Sequence, residues 1–539
     1  MPSLNWIGKE AVELHHKEVP YRLVHCDGKL SSGDPNDGNL LVHGDNLEAL
    51  KALLPYYGGQ VKCVYIDPPY NTGNEGWVYN DNLNDPEIKR WLGAAVGSEL
   101  EDLSRHDKWL CMMYPRLQLL KQFLKNDGII FVSIDDNEVD HLLLLMDMIF
   151  QRRNRLGVFV WRRRLTSDSR NITNISADHE YLVCYGAGPN AAFKGQERDE
   201  GKYSNQDNDP RGPWMSDNLT GLADAKARPN LHYTVKNPKT NIEYPPHPQR
   251  GWAVAPDTMA TLIAEGRILW PKSATGRPRI KRYLSELGER RAGFSTIVNA
   301  PTNQAGTRTL NDIFGQKVFD FPKPHEYLME VIGQVANQTG DIVLDSFAGS
   351  GTTGHAVLAL NKQDGIKRRF ILIEMMKETA EKVTAVRLSR VMNGYLKAGD
   401  GKKPVGGLGG GFRFCRLGVP LFNEFGDIDG AVSFSDLAAH VFFAETGVPI
   451  PSRADGSTSY IGKHGEKAVY LLFAPGQEGM PREALGNVLT PDALAALPLP
   501  PQEFEGSRVV YAEGTTVSAD RLKAEGVVFK QIPYQIAGV

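Results

Sequence analysis

The chain has 539 residues, 41% of them hydrophobic and 23% charged; it is too long for one hydrophobic core and reads as a globular protein of several units of about 150 residues each. A formal net charge of −3 excludes a polycation that holds nucleic acid by bulk charge, so any such contact must come from local basic patches. The cysteines Cys26, Cys63, Cys111, Cys184 and Cys415 are odd in number, far apart and without a CxxC pair, which argues against a disulfide framework or a structural zinc site and fits a reducing cytoplasm.

The amino-terminal stretch MPSLNWIGKEAVELHHKE mixes charges throughout and lacks the apolar core of a signal peptide. Residues 1–37 are polar and end in the turn-rich SSGDPNDGN. A strand is expected at LLVH (40–43), then a helix opening GDNLEALKALL with Asp45 or Asn46 as N-cap and leucines 47, 50, 53 and 54 on one face. Val61, Val64, Tyr65 and Ile66 predict a short buried parallel strand. It delivers IDPPYNTG (66–73) to the carboxyl edge of the sheet, where open α/β sheets bind ligands.

Beyond a polar loop, WLCMMYPRLQLLKQFL predicts a helix, KNDG its stop and IIFVSID another buried strand. The run LLLLMDMIF at 142–150 contains Asp147 and is far shorter than the ~20 apolar residues needed to span a bilayer, so no membrane segment is expected. GVFVW (157–161) and HEYLVCY (179–185) complete an alternation of strands and helices, which predicts a mostly parallel sheet covered on both faces. From 190 to 310 the chain turns loop-rich, with Pro, Asn, Asp, Arg and Tyr. The α/β pattern resumes in DIVLDSFAGSGTTGHAVLAL (341–360) and RRFILIE (368–374), GDGKKPVGGLGGG (399–411) reads as a flexible linker, and 412–539 reads as a separate domain of mixed short elements.

The loop from Asp345 to Gly354 joins a strand to a helix, a geometry that offers free N–H groups and a positive helix end to a polar ligand. Its spacing nearly fits a P-loop, but His355 and Ala356 stand where Lys and Ser/Thr are required. Gly349, Gly351 and Gly354 also fit a dinucleotide fingerprint, with Glu374 at the end of the next strand as the ribose acid. The same parts suit S-adenosylmethionine, so the loop alone leaves dehydrogenase and methyltransferase open.

IDPPY narrows the choice. An exocyclic amine such as adenine N6 is a poor nucleophile, because its lone pair is delocalised, until acceptors hold both N–H groups. Asp67 offers a carboxylate and Pro68 a carbonyl at a fixed angle; Pro69 keeps Pro68 extended, and Tyr70 offers a ring for stacking. No cysteine lies in this segment, so attack through a covalent enzyme–base adduct is not supported and direct transfer of a sulfonium methyl is. Read by itself, the same stretch is also a proline-stiffened turn capped by Asp67.

HGDNLEAL, IDPPYNTG, FPKPHEYL and DSFAGSGTT, in that order, resemble a β-class DNA amino-methyltransferase, in which the catalytic half precedes the cofactor half. DKWLCMMYPRL, IIFVSIDDNE, ISADHEYLVCYG, GRPRIKRYLSE and the terminal VVFKQIPYQI further resemble the modification subunits of type III restriction–modification systems. The resemblance implies a permuted Rossmann-like α/β sheet divided into an N-terminal segment (1–37), a catalytic half (38–189), a target recognition insert (190–310), a cofactor-binding half (311–398), the glycine-rich linker (399–411) and a C-terminal accessory α+β domain (412–539). It assigns Asp67 and the Pro68 carbonyl to the amine, Tyr70 to base stacking and Pro69 to loop shape. Phe347, Gly349 and Gly351 line the S-adenosylmethionine site, Asp345 supports the loop, Glu374 takes the ribose hydroxyls and Lys323 faces the cofactor carboxylate. Asp45 is an adenine-side candidate that is equally a helix N-cap.

A base must leave the duplex before it can react, and backbone contacts must offset that cost. One basic cluster, including Arg162, Arg163, Arg164 and Arg170, flanks GVFVW; a second, including Arg277, Arg279, Lys281, Arg282 and Arg290, lies in the insert. Trp161, Trp270 and Tyr283 are interleaved with them, as phosphate contact with packing requires. His15–His16 and His179–Glu180 have no metal spacing, and no metal is expected. The resemblance also implies double-stranded DNA as partner, a homodimer, and a possible helicase–nuclease restriction subunit. The rivals are an N4-cytosine methyltransferase, made less apt by Asp rather than Ser before PPY, a non-catalytic DNA-recognition subunit, and a nicotinamide dehydrogenase.

Overall fold

Parallel strands must be buried on both faces and joined by crossover helices, and two stretches of this chain meet both demands. The computed structural model describes residues 4–72, 98–167, 174–247, 249–273, 275–288, 291–398, 403–423, 425–474, 486–500, 504–534 and 536. Its principal sheet contains β1 (Arg22–Ser32), β2 (Leu40–His43), β3 (Val61–Ile66), β4 (Leu124–Ile134), β5 (Arg155–Arg162), β6 (His179–Gly186), β7 (Ile297–Val298), β8 (Ile342–Asp345), β9 (Arg369–Glu374) and β10 (Phe412–Pro420). The helices that position the site are α1 (Asn46–Tyr57), α2 (Ser98–Phe123), α3 (Val139–Met146), α4 (His325–Ile332), α5 (Thr352–Asp364) and α6 (Ala385–Asn393).

Strand order is β1-β10-β2-β9-β8-β3-β4-β6-β5-β7. The six strands from β10 to β4 are mutually parallel. The two late strands β8 and β9 therefore slot between β2 and β3, so halves far apart in sequence share one sheet edge. Val343 pairs with Cys63 and Leu344 with Val64, which brings the chain after Asp345 beside the chain after Ile66. All residues of β8 are buried, as are Val61, Cys63, Val64, Tyr65 and Ile66 of β3, as a doubly covered parallel strand requires.

Beyond β4 the sheet departs from the expected alternation: β6 runs antiparallel to both β4 and β5. GVFVW and HEYLVCY thus form an antiparallel pair, because the connection between them holds no crossover helix among the described residues. The amino-terminal segment, read as polar, contributes β1, an eleven-residue strand antiparallel to β10. Its face is mostly exposed or half-exposed, and an edge strand of this kind carries no apolar run to signal it. Cys26 and Cys415 stand opposite each other in this pair and are joined as a disulfide. A separation of 389 residues hid that pairing from the cysteine spacing.

The expected linker is packed where described: Pro404–Val405 pairs with Tyr395–Leu396, and the Gly411 carbonyl accepts a bond from Asn39 Nδ2 at 2.7 Å; residues 399–402 lie outside the described residues. The chain from 412 onward opens with a strand of the principal sheet rather than a separate domain, and it groups in one compact unit made of Met1–Lys194 and Ser295–Val539. Later residues add a four-stranded sheet, ordered Tyr460–His464, Lys467–Leu472, Ser507–Ala512 and Val527–Gln531, with the helix Phe434–Thr446 over its apolar core.

Gly195–Phe294 is the second compact unit, narrower than the expected insert because Ile297–Val298 joins the principal sheet beside β5. It has an antiparallel sheet of Ile268–Leu269, Arg279–Tyr283 and Trp214–Asn218 and a small core that includes Leu219, Tyr244, Trp252, Met259 and Ile280. Among the described residues no helix is long and apolar enough to cross a membrane.

Candidate active site

Asp67 leaves the carboxyl end of β3 directly into two prolines, which cannot extend the ladder. The loop is then held by side chains. Trp109 of α2, fully buried, donates its indole Nε1–H to the Pro69 carbonyl at 2.8 Å. No hydrogen bond to the Pro68 carbonyl is seen among the described residues. Asn71 closes the loop in the left-handed region, with φ of 61°.

Tyr70 donates its hydroxyl to Asp67 Oδ1 at 2.8 Å. Lys323, just before α4, reaches the same place: its Nζ lies 2.8 Å from Asp67 Oδ2, 2.9 Å from the Tyr70 hydroxyl and 3.2 Å from Glu180 Oε2. Burial works against the ammonium, but the facing carboxylates of Asp67 and Glu180 outweigh it and raise the Lys323 pKa. The Tyr70 hydroxyl is pushed well above its ordinary range by burial and by the same two carboxylates. Lys323, assigned by resemblance to the cofactor carboxylate, is thus bonded to the catalytic-loop aspartate. Glu180 is the residue that sequence reading passed over. It sits in β6 with its side chain 4% exposed, between Lys323 and Arg163 Nη1 at 3.4 Å, and only the antiparallel turn of β6 against β4 brings it to the site.

The glycine loop follows β8. Asp345, buried, accepts Phe347 N–H at 2.9 Å and the Thr353 hydroxyl at 2.5 Å, so it ties the loop's start to the first turn of α5. Gly349 and Gly351 have φ of 50° and 78°, and a Cβ on Gly351 would stand 2.9 Å from Thr384 Cγ2, so only glycine fits. Gly354 packs α5 against β9, where a Cβ would meet Leu372 and Leu388. Glu374, ending β9, accepts Gly349 N–H at 2.8 Å and Met376 N–H at 2.9 Å. Burial pushes both acids up to about 7.

Arg387 of α6, also unforeseen, is buried beneath this loop and donates to Ser350 Oγ at 2.9 Å and Thr352 Oγ1 at 2.8 Å. Its burial lowers the guanidinium pKa to about 10. His355, at the would-be P-loop lysine position, is buried and stacked on His325 with ring centroids 4.0 Å apart. Asp45 is the α1 N-cap, accepting from Leu47 and Glu48 N–H. Asp67, Lys323, Asp345, Phe347 and Gly349 line one cleft of about 90 Å³, with Phe319 over Gly349.

The expected DNA-contact residues divide. Arg277 and Arg279 are exposed, and Arg279 Nε donates to Ser216 Oγ at 2.6 Å. Arg282 is half exposed beside Asp217 at 3.2 Å. Lys281 is a correction: it is 5% exposed and paired with Asp207 and with Asp209 at 2.9 Å, a charge used to build the insert. Arg162 is exposed but bonded to the carbonyls of Arg164 and Leu165; Arg163 turns toward Glu180 and the Ala177 carbonyl; and Arg164 is half buried. Trp161 is fully buried and stacked on Tyr327, and Tyr283 is buried with its hydroxyl on Asp209, so neither presents a face to a base. Arg170 and Arg290 lie outside the described residues.

Residues 61–385 match the family model described as a DNA methylase, covering N6 and N4 enzymes. The chain is 30% identical over 495 residues to the type III restriction–modification enzyme StyLTI Mod subunit of Salmonella typhimurium, covering 85% of this chain and 72% of that relative. It is 29% identical over 437 residues to the EcoP15I Mod subunit of Escherichia coli, covering 71% of this chain and 66% of the relative. A solved DNA modification methylase from Thermus thermophilus, complexed with S-adenosyl-L-methionine, aligns at 13% identity over 65% of this chain and 93% of its own, with a TM-score of 0.26.

Proposed function

Because the chain belongs to the N6/N4 DNA methylase family, alongside type III modification subunits, we propose that it methylates adenine N6 in double-stranded DNA. The observation that carries this reading is the shared cleft: Asp67 and the glycine loop emerge from adjacent parallel strands and line one cavity. Among the residues there, the left-handed Gly349 and Gly351, the loop-bracing Asp345 and the strand-end acid Glu374 fit S-adenosylmethionine, the cofactor of this family. When bound, it supplies an electrophilic sulfonium methyl.

The chain's own residues do the rest. Asp67 and the Pro68 carbonyl accept the two amine N–H bonds and turn the nitrogen lone pair out of conjugation; the Tyr70 ring supports the base. Lys323 keeps its proton and holds Asp67 in place, while Glu180 balances the ammonium. The N–H bond that breaks gives its proton to Asp67, which passes it on to water. Phe319 must move for a nucleoside to enter, since sites for such ligands hold about 300 Å³ or more and this cleft is smaller. The flipped base, a homodimer in which one subunit reads while the other methylates, and a helicase–nuclease restriction partner belong to the same reading and follow from the family alone. Arg277, Arg279 and Arg282 are its DNA contacts.

The test is nucleoside analysis of DNA from a host lacking the gene, incubated with the purified protein and S-adenosylmethionine. N6-methyladenine supports the reading, N4-methylcytosine replaces it with the cytosine enzyme, and DNA binding without any methyl product reduces the chain to a recognition subunit.

A further inference from the structure

At the end of the catalytic loop opposite Lys323 lies a second cluster that the methylation chemistry does not use. Glu138 caps α3 and His141 follows three residues later in that helix, a spacing that sets a carboxylate and an imidazole on one helix face. His106 comes to them from α2. One ligand atom from each of His106, Glu138 and His141 lies within 4.8 Å of the others. Glu138 has no exposure, while the histidine side chains are 19% and 30% exposed, which leaves an entrance.

The contacts are not those of a carboxylate satisfied by hydrogen bonds alone. His106 Nδ1 is 2.6 Å from Glu138 Oε1, and Asn71 Nδ2 donates to the same oxygen. Glu138 Oε2 and His141 Nδ1 are 3.0 Å apart, yet both are buried atoms with no hydrogen-bond partner among the described residues. No aligned hydrogen bond satisfies these two buried atoms, and only ion pairing between a protonated His141 and Glu138 holds them together. Two ligands of one ion, each about 2.0–2.2 Å from it, stand about 3.0 Å apart at an octahedral angle and about 3.4 Å apart at a tetrahedral one, close to the separation seen here.

We propose that His106, Glu138 and His141 bind one first-row divalent transition-metal ion, and that the ion fixes Glu138 as the anchor of Asn71 and the loop that carries Asp67. Two imidazoles and a carboxylate suit Zn(II) and its neighbours, whereas Mg(II) and Ca(II) prefer all-oxygen shells. Three protein ligands leave a coordination position to water. Asn71, bonded to the ligating carboxylate, orients it.

The experiment uses the full chain, stripped with a chelator, exposed to zinc chloride in excess Mg(II) and desalted before elemental analysis. The wild type is expected to retain one Zn(II) per chain. His106→Ala and His141→Ala are expected to lose it while their metal-free melting and S-adenosylhomocysteine binding match the metal-free wild type. Asn71→Ala is expected to weaken Zn(II) binding about 10–100-fold, as loss of a partner that orients a ligand does. If the folded wild type retains no more Zn(II) than folded His141→Ala, the proposal is overturned and the cluster is a hydrogen-bonded carboxylate only.

Discussion

Lys323→Met tests the reading of the site most directly, because it removes the one ammonium between Asp67 and Glu180 while keeping the length of the side chain. Lys323 Nζ lies 2.8 Å from Asp67 and 3.2 Å from Glu180, with side-chain exposures of 8%, 26% and 4% for Lys323, Asp67 and Glu180. Breaking a buried ion pair typically costs about 3–5 kcal/mol. Arg163 still faces Glu180 at 3.4 Å and Asp67 is open to water on one side, so the lower end, about 3 kcal/mol, applies. The ammonium pKa is raised above its ordinary 10.5, so its stabilisation is complete below that value and is lost only as pH rises past the folded pKa; melts near pH 7 sample it in full. Without the cation Asp67 loses the contact that holds it at the loop's start, so kcat should fall while KM for S-adenosylmethionine changes little. Thermal melts and initial rates near pH 7 check both effects, and Lys323→Met with Glu180→Gln should recover part of the stability, as contacting sites do when coupled. Unchanged melting and an unchanged kcat, with only a raised KM for S-adenosylmethionine, would return Lys323 to the cofactor carboxylate and refute the role drawn from its contacts.

Gly351→Ala places a Cβ 2.9 Å from Thr384 at a φ of 78°; it should cost about 1–2 kcal/mol from the backbone alone and abolish S-adenosylhomocysteine binding in calorimetry before it unfolds the chain. Glu374 has its pKa raised to about 7 by burial, so affinity for S-adenosylhomocysteine should fall up to about tenfold per pH unit below that point, and Glu374→Gln should bind with the weak, pH-independent affinity of the acid limb. Because the folded pKa lies above the unfolded one, the same group should make the cofactor-free protein less stable as pH rises from about 4.5 to about 7, a slope that melting of Glu374→Gln should lack. Trp109→Phe deletes the bond to the Pro69 carbonyl, and should cost about 1–3 kcal/mol for the lost partner and lower kcat more than it raises KM. Arg277→Ala should weaken DNA binding evenly across sequences and reduce the salt slope by about 1, whereas Lys281→Ala, paired with Asp209, should lower the melting temperature and leave that slope alone.

The sequence was most legible where one local rule decides the outcome. LLVH is an apolar run bounded by turn residues and became β2 with the expected bounds, and the apolar start of DIVLDSFAGSGTTG became β8. Gly349 and Gly351 were visible because only glycine tolerates their backbone, and Asp345 because a carboxylate that starts such a loop finds its N–H groups. What stayed hidden depends on pairing across long stretches of chain. Glu180 reads as a polar residue in a strand until the antiparallel register of β6 sets it beside Lys323. Lys281 and Tyr283 looked like a phosphate contact and its aromatic neighbour because a basic run has the same composition on a solvated face as around a buried Asp209. The edge strand β1 lacked a period, and its partner β10 follows the glycine-rich stretch that sequence alone reads as a tether.

Loops are the least rigid parts of a fold, yet the acceptors for an amine must be held within about 0.5 Å to be useful. The segment Asp67 to Asn71 gets little help from backbone ladders, since its second and third residues are prolines. The rigidity comes from two buried glutamates. Glu180 fixes Lys323, which holds Asp67 and Tyr70 at the loop's start, and Glu138 holds Asn71 at its end. Trp109 fastens the middle. Each glutamate sits in or just after a strand of the region beyond β3, and because β6 runs antiparallel to β4 it is a residue at its amino end, Glu180, rather than one at a carboxyl end, that faces Lys323.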